Sequence, residues 1–124
     1  MVSRDRRLRK RADFDSVRSR GTRVGDGLFV LIVAPSELAR TRWGLAVSRR
    51  VGTAVVRNSV KRKVRESIRD MHCEAGWDVI VSARPAAAGA GSESVRNSLS
   101  KLAGRAGMTP VPAVEMGQFS GAKS

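Results

Sequence analysis

Acidic side chains are scarce in this 124-residue chain: 11 Asp and Glu stand against 24 Lys and Arg, a formal net charge of +13 with a pI near 11.7. Histidine and cysteine occur once each, as His72 and Cys73. That excludes an internal disulfide framework and any zinc site of Cys/His spacing, and a lone thiol fits a reducing, cytoplasmic setting. Long apolar runs are missing too. The longest, Leu28 to Pro35, falls far short of the ~20 residues a membrane-spanning helix requires. Met1 to Arg11 is basic but has no apolar stretch behind it, so it lacks the hydrophobic region of a secretory signal. The acids Asp5, Asp13, Asp15, Asp26, Glu37, Glu66, Asp70, Glu74, Asp78, Glu93 and Glu115 are spread along the chain, with no set suited to metal-assisted hydrolysis. Asp13 with Asp15 reads as a helix-start charge pair, and His72 beside Cys73 has no obvious orienting partner. No catalytic residue and no metal ligand is therefore assigned to the protein.

What is present suffices for one domain, since 41% of the residues are hydrophobic. Leu8, Ala12, Phe14 and Val17 fall at helical spacing ahead of Gly21, which predicts a helix over Arg11 to Arg20 with Gly21 suited to its C-cap. The β-branched run Leu28 to Ala34 predicts a buried strand. Trp43, Leu45 and Val47 alternate with Gly44, Ala46 and Ser48, a second strand expected to form an antiparallel hairpin with the first. Thr53 is placed to cap a helix with Val56, Val60, Val64, Ile68 and Met71 on one flank, ending near Gly76. Trp77 to Ser82 is a third strand, Ala86 to Gly91 a small-residue loop, and Ser92 or Ser94 opens a last helix stopping at Gly104 or Gly107. The expected organisation is a basic arm over 1–10, a domain over 11–107 and a disordered tail over 108–124. The element order predicts an α+β fold: a mixed sheet with two helices on one face, the other face left open.

The charge is concentrated. Arg49 and Arg50 precede the second helix, on which Arg57, Lys61 and Arg65 form an i, i+4, i+8 row flanked by Asn58 and Arg62. Successive members of the row lie about 6 Å apart along the axis, near the phosphate spacing of an RNA strand. A solvated helix face ordinarily interleaves Glu at i±4, yet Arg57 to Arg65 contains no acid and only Glu66 lies nearby. This ridge favours a polyanion, with nucleic acid the leading partner class. Asn58 suits either a cap or turn role or a hydrogen bond to a base or ribose. The basic arm, Arg4, Arg6, Arg7, Arg9, Lys10 and Arg11, suits either loose phosphate tracking or a solvated end.

The stretch Gly52-Thr-Ala-Val-Val-Arg-Asn-Ser-Val-Lys-Arg-Lys-Val-Arg-Glu66 resembles the arginine-asparagine-rich signature of the bacterial ribonuclease P protein family. Asp13-Phe-Asp-Ser-Val-Arg-Ser-Arg-Gly21, Trp43-Gly-Leu-Ala-Val-Ser48 and Trp77-Asp-Val-Ile-Val-Ser-Ala-Arg-Pro85 are similar to the family's first helix and to the strands on either side of the signature. The resemblance implies a two-layer α-β-β-β-α-β-α sandwich with an extra strand near Thr22 to Val24. It also implies a left-handed crossover around the signature helix, where the default for such a connection is right-handed. The implied role is that of an accessory subunit: it joins a catalytic RNA in the endonuclease that removes the 5′ leader of precursor tRNA, with Mg²⁺ held mainly by the RNA and no obligate protein partner. By position, Arg49, Arg50, Arg57, Asn58, Lys61, Arg62 and Arg65 would face the catalytic RNA. The leader would cross a cleft between the sheet and the first helix, touching Phe14 and Phe29, with Arg18 standing where the family often has a second aromatic and Arg84 near the same sheet end. Phe14 and Phe29 suit the core equally, Arg84 suits solvent, and Trp43 and Trp77 read as packing residues. A structural RNA-binding protein without a role in cleavage is the competing class, and a stand-alone nuclease a third.

Overall fold

The computed structural model describes residues 7–8, 10–36, 41–69, 71–72, 76–108 and 111–112. Among these the order is α1 (Arg11–Arg20), β1 (Thr22–Gly25), β2 (Phe29–Pro35), β3 (Arg42–Ala46), α2 (Ala54–Arg69), β4 (Met71–His72), β5 (Trp77–Ala83), α3 (Ser92–Arg105) and β6 (Val111–Pro112). Short 3₁₀ turns occupy Arg49–Val51 and Pro85–Gly89. The second of these replaces the expected small-residue loop, because Pro85 at its first position sets the helical φ there. No helix among the described residues is long and apolar enough to cross a membrane.

The four-stranded sheet has the order β1-β2-β5-β3, with β5 antiparallel to β2 and parallel to β3. The expected β2–β3 hairpin is therefore not formed. The strand Trp77–Ala83 is buried along its middle and inserts between the two, pairing Leu31 with Val81 on one side and Val81 with Leu45 on the other. A strand apolar on both faces gains most at the centre of a sheet, and the 16-residue α2 supplies the crossover that parallel pairing of β3 with β5 demands. The short strand at Thr22–Gly25 pairs with β2 as the resemblance implied.

Two apolar layers result. Val60, Val64 and Ile68 of α2 and Val95, Leu99 and Leu102 of α3 pack on Phe29, Leu31, Val33, Val79 and Val81. Each such buried side chain stabilises the fold by roughly 1.5 to 3 kcal/mol. The opposite face is not left open: Val17 of α1 and Leu8 cover Ile32, Ala34 and Ile80, with Phe14 beside them. Gly21 follows α1 in extended conformation rather than as a left-handed cap. A Cβ there would lie 2.6 Å from the Val17 carbonyl and 2.7 Å from Ile32 Cγ2, so glycine is required by close approach of helix end to sheet.

Local capping follows the sequence at α2 and departs from it at α3. Thr53 Oγ1 accepts the Val56 N–H at 3.3 Å and the Thr53 carbonyl accepts that of Arg57. Gly91, not a serine, holds the N-cap position of α3, with no side-chain cap bond. The arm and tail are described only in part. The Leu8 N–H donates to the Trp43 carbonyl at 2.8 Å and Arg7 bridges Trp43 in parallel fashion, so this piece of the arm extends the sheet beyond β3. Val111–Pro112 pairs antiparallel with Met71–His72, which places His72 on a short strand rather than at a helix end. Cys73, Arg4, Arg6, Arg9 and the rest of the tail lie outside the described residues.

Candidate nucleic-acid interface

With Val56, Val60, Val64 and Ile68 turned inward, α2 turns its charges outward in two tiers. Arg57, Lys61 and Arg65 are half-buried, the latter two beside Trp43 and Leu45 of β3, whereas Asn58 and Arg62 are exposed. Arg57 Nε is buried and has no protein partner. Because Thr53 supplies the cap, Asn58 has no capping task, and its amide is exposed without a partner among the described residues. Arg49 and Arg50 stand exposed on the turn leading into the helix. Lys63 is set apart: it donates to the Ala90 carbonyl at 2.8 Å and ties α2 to the segment before α3.

The sheet face under α1 carries the second group of expected residues. Phe14 is half-buried, lying against Gly44, where a Cβ would come within 2.5 Å of the Phe14 ring. Only glycine at position 44 allows the helix to seat that close. The Arg18 guanidinium stands 5.6 Å from the Phe14 ring centroid, a cation–π contact that keeps a flat cation beside the half-buried ring. Phe29 is fully buried among Leu31, Val81 and Leu99. It is removed from the set of expected stacking residues, because strand alternation turns it to the α2–α3 layer. Arg84 is exposed just past β5, its guanidinium beside Gly25 and its N–H bonded to the Leu28 carbonyl. Trp43 is only 2% exposed and Trp77 packs against the core, so both are packing residues, as read from the sequence.

The residues that hold α1 in place were not legible beforehand. Buried Asp78 on β5 accepts two hydrogen bonds from Arg42 of β3, each 3.0 Å, and pairs with Arg20 at 3.5 Å. Arg42 also reaches Asp13 at 3.5 Å. Asp13 lies in the first turn of α1 and Arg20 is its last residue, so one network clamps both ends of the helix to the sheet. The hydrogen bonds from Arg42 to Asp78 raise the Arg42 pKa against the opposing effect of burial. At the other end of the sheet, burial pushes the Asp26 carboxyl up. Hydrogen bonds from Ser98, the Phe29 and Leu28 N–H groups and Lys101 outweigh it and bring the pKa to about 2. Each of these carboxylates is thus engaged by its own cations or donors, and no three His, Cys, Asp or Glu side chains converge among the described residues.

A cationic helix ridge and an aromatic–arginine platform carried on one small mixed sheet narrow the comparison with known proteins. The family model described as Ribonuclease P matches residues 2–107. This chain belongs to the ribonuclease P protein family. Among its relatives, the ribonuclease P protein component of Herpetosiphon aurantiacus is 40% identical over 103 residues, covering 82% of this chain and 84% of the relative. That of Brevibacillus brevis is 35% identical over 123 residues, 97% and 98% of the two chains. Of solved structures, a Staphylococcus aureus ribonuclease P protein, a mutant with defective mRNA degradation activity, superposes with a TM-score of 0.77 at 33% identity, covering 84% of this chain and 90% of the other. The Thermotoga maritima protein does so with 0.71 at 30%, covering 80% and 96%. The α+β sandwich with its mixed four-stranded sheet is thus the family's fold, and the match extends well beyond the signature helix.

Proposed function

We propose that this ribonuclease P protein is the accessory subunit of the endonuclease that matures the 5′ end of tRNA, binding the catalytic RNA through α2 and the precursor leader through the α1 face. The reading is supported by two chemically distinct surfaces carried on one small sheet: Arg49 and Arg50 on the turn leading into α2 with Arg57, Asn58, Lys61, Arg62 and Arg65 on that helix, and Phe14, Arg18 and Arg84 on the other. Cations spaced by helical turns neutralise RNA phosphates and release their counterions. A half-buried ring paired with a guanidinium offers its open part as a stacking surface for unpaired bases. By screening phosphate repulsion between two RNAs, the protein lowers the Mg²⁺ concentration they need to associate.

Hydrolysis belongs to the RNA in this scheme. Asp13, Asp26 and Asp78 are each held by Arg, Lys or Ser donors, a donor set that does not fit a protein-held metal pair, and Mg²⁺ is assigned to the RNA. The cytoplasmic setting expected from the composition is part of the same proposal. Cleavage of a precursor tRNA at low Mg²⁺ by a bacterial ribonuclease P RNA, with and without the protein and beside a protein-only control, tests it. Stimulation only when both components are present, together with tighter holoenzyme binding of leader-bearing than of leaderless tRNA, is the expected result. RNA binding with unchanged cleavage would instead make this a structural RNA-binding protein.

A further inference from the structure

The joint between the turn Arg49–Val51 and α2 is a glycine. Gly52 has φ of 154°, a conformation that other residues rarely adopt, and its freedom means that the backbone alone does not fix how exposed Arg49 and Arg50 stand relative to the helix. What fixes them lies on the far side of α2 from the cationic row. Val51, 5% exposed, shares the core with fully buried Ala87 of the turn Pro85–Gly89, and that second turn packs both on Arg49–Val51 and on α2. Pro85–Gly89 is in turn held at both ends. Before it, the Arg84 N–H donates to the Leu28 carbonyl at 2.8 Å; after it, the Ala90 carbonyl accepts the Lys63 ammonium at 2.8 Å.

Lys63 lies within the most basic run of the sequence but about 200° around the helix from Lys61, in line with Ser59 and Ser67. It is half-buried and has no ion pair among the described residues. An ammonium engaged by a backbone carbonyl on that flank is turned away from an RNA that covers Arg57, Lys61 and Arg65. We propose that Lys63 is a positioning residue of the RNA interface: by fixing Pro85–Gly89 against α2 it sets Arg49 and Arg50 at a constant spacing from the Arg57–Lys61–Arg65 row, so that both groups meet the same RNA. The inference rests on the RNA-binding reading above and takes Lys63 out of the phosphate-binding set. A turn already held in place loses less freedom when RNA binds, so the Lys63 bond acts on affinity through Arg49 and Arg50.

A double-mutant cycle on the full-length protein tests this. Affinity for a bacterial ribonuclease P RNA is measured at one ionic strength for wild type, Lys63→Met, the pair Arg49→Ala with Arg50→Ala, and all three changes together. Methionine keeps the apolar stem and removes the donor. Lys63→Met should weaken binding about fivefold in wild type and less than about twofold where Arg49 and Arg50 are already replaced. Lys63→Arg, which can donate to the same carbonyl, should restore wild-type affinity. Lys63→Leu is read in the same way should Lys63→Met lose its cooperative thermal unfolding. An equal loss in both backgrounds overturns the proposal, and a salt slope lowered by roughly 0.7 to 0.9 in both would make Lys63 a phosphate ligand instead. Unchanged affinity on Lys63→Met also overturns it, leaving the bond a purely structural one. If replacing Arg49 and Arg50 costs no affinity, the RNA-facing reading of that turn fails and the proposal with it; if it does cost affinity while Lys63→Met is additive, the proposal alone falls.

Discussion

Two side chains of like expectation show what the residue scale decides. Phe29 and Phe14 are both aromatics near the sheet, yet alternation buries Phe29 in the α2–α3 layer while Phe14 keeps part of its ring at the surface against Gly44. Close approach likewise defines Gly21, and Gly21→Ala is expected to destabilise the fold by roughly 1 to 3 kcal/mol, because the helix-end carbonyl and Ile32 must both give way. Urea unfolding measures it. Asp26 permits a sharper test. Its folded pKa of about 2 lies below the ordinary carboxylate value of 3.8, so its stabilisation is fully present above pH 4 and is lost as the pH falls through 2. Asp26→Asn should cost on the order of 2 kcal/mol at pH 7, and the gap to wild type should close on titration toward pH 2. A gap independent of pH would mean that the carboxylate charge is not what ties the β1–β2 turn to α3.

Among elements, α1 depends most on side chains far away in sequence. Its own apolar contribution is small, since Val17 is its single buried residue, and the clamp through Arg42, Asp78 and Arg20 supplies the rest. Removing one partner of a buried ion network leaves uncompensated charge, so Asp78→Asn is expected to destabilise by about 3 kcal/mol, measured by denaturant unfolding. It should also weaken leader-dependent tRNA binding more than binding of the RNA subunit, because Phe14 and Arg18 ride on α1 and the α2 ridge does not. Equal loss in the two assays would show that α1 is held by other means. The helix α2, by contrast, carries its own determinants: Thr53 caps it, four apolar residues seat it, and its charges are left on the outside by the same periodicity.

The net charge of +13 is borne by the whole molecule, and its consequence is a salt dependence. Each phosphate contact removed lowers the log–log slope of RNA affinity against salt by roughly 0.7 to 0.9. Changing exposed Arg49, Arg50 and Arg62 together to Ala should therefore reduce the slope by about 2 to 3 while leaving unfolding within about 0.5 kcal/mol of wild type. An unchanged slope would remove those residues from the interface. Arg57, Lys61 and Arg65 are a less clean target, since their half-buried stems contribute packing as well as charge. Periodicity and composition alone determined the helix over Arg11–Arg20, the start of α2 with its buried row, the cationic ridge and the polyanion partner class, because these are properties of consecutive residues; the expected run of α2 to near Gly76 stops instead at Arg69, since Met71–His72 pairs as a strand. Strand order, the burial of Phe29, the clamp on α1 and the joining of arm, platform and ridge around one cavity, which Arg7, Phe14 and Arg65 line, were decided only by tertiary structure. Each depends on residues far apart in the chain, 58 positions from Arg7 to Arg65 and 70 from Phe29 to Leu99, and such pairings arise from competition among strands and layers for burial, which no local pattern encodes.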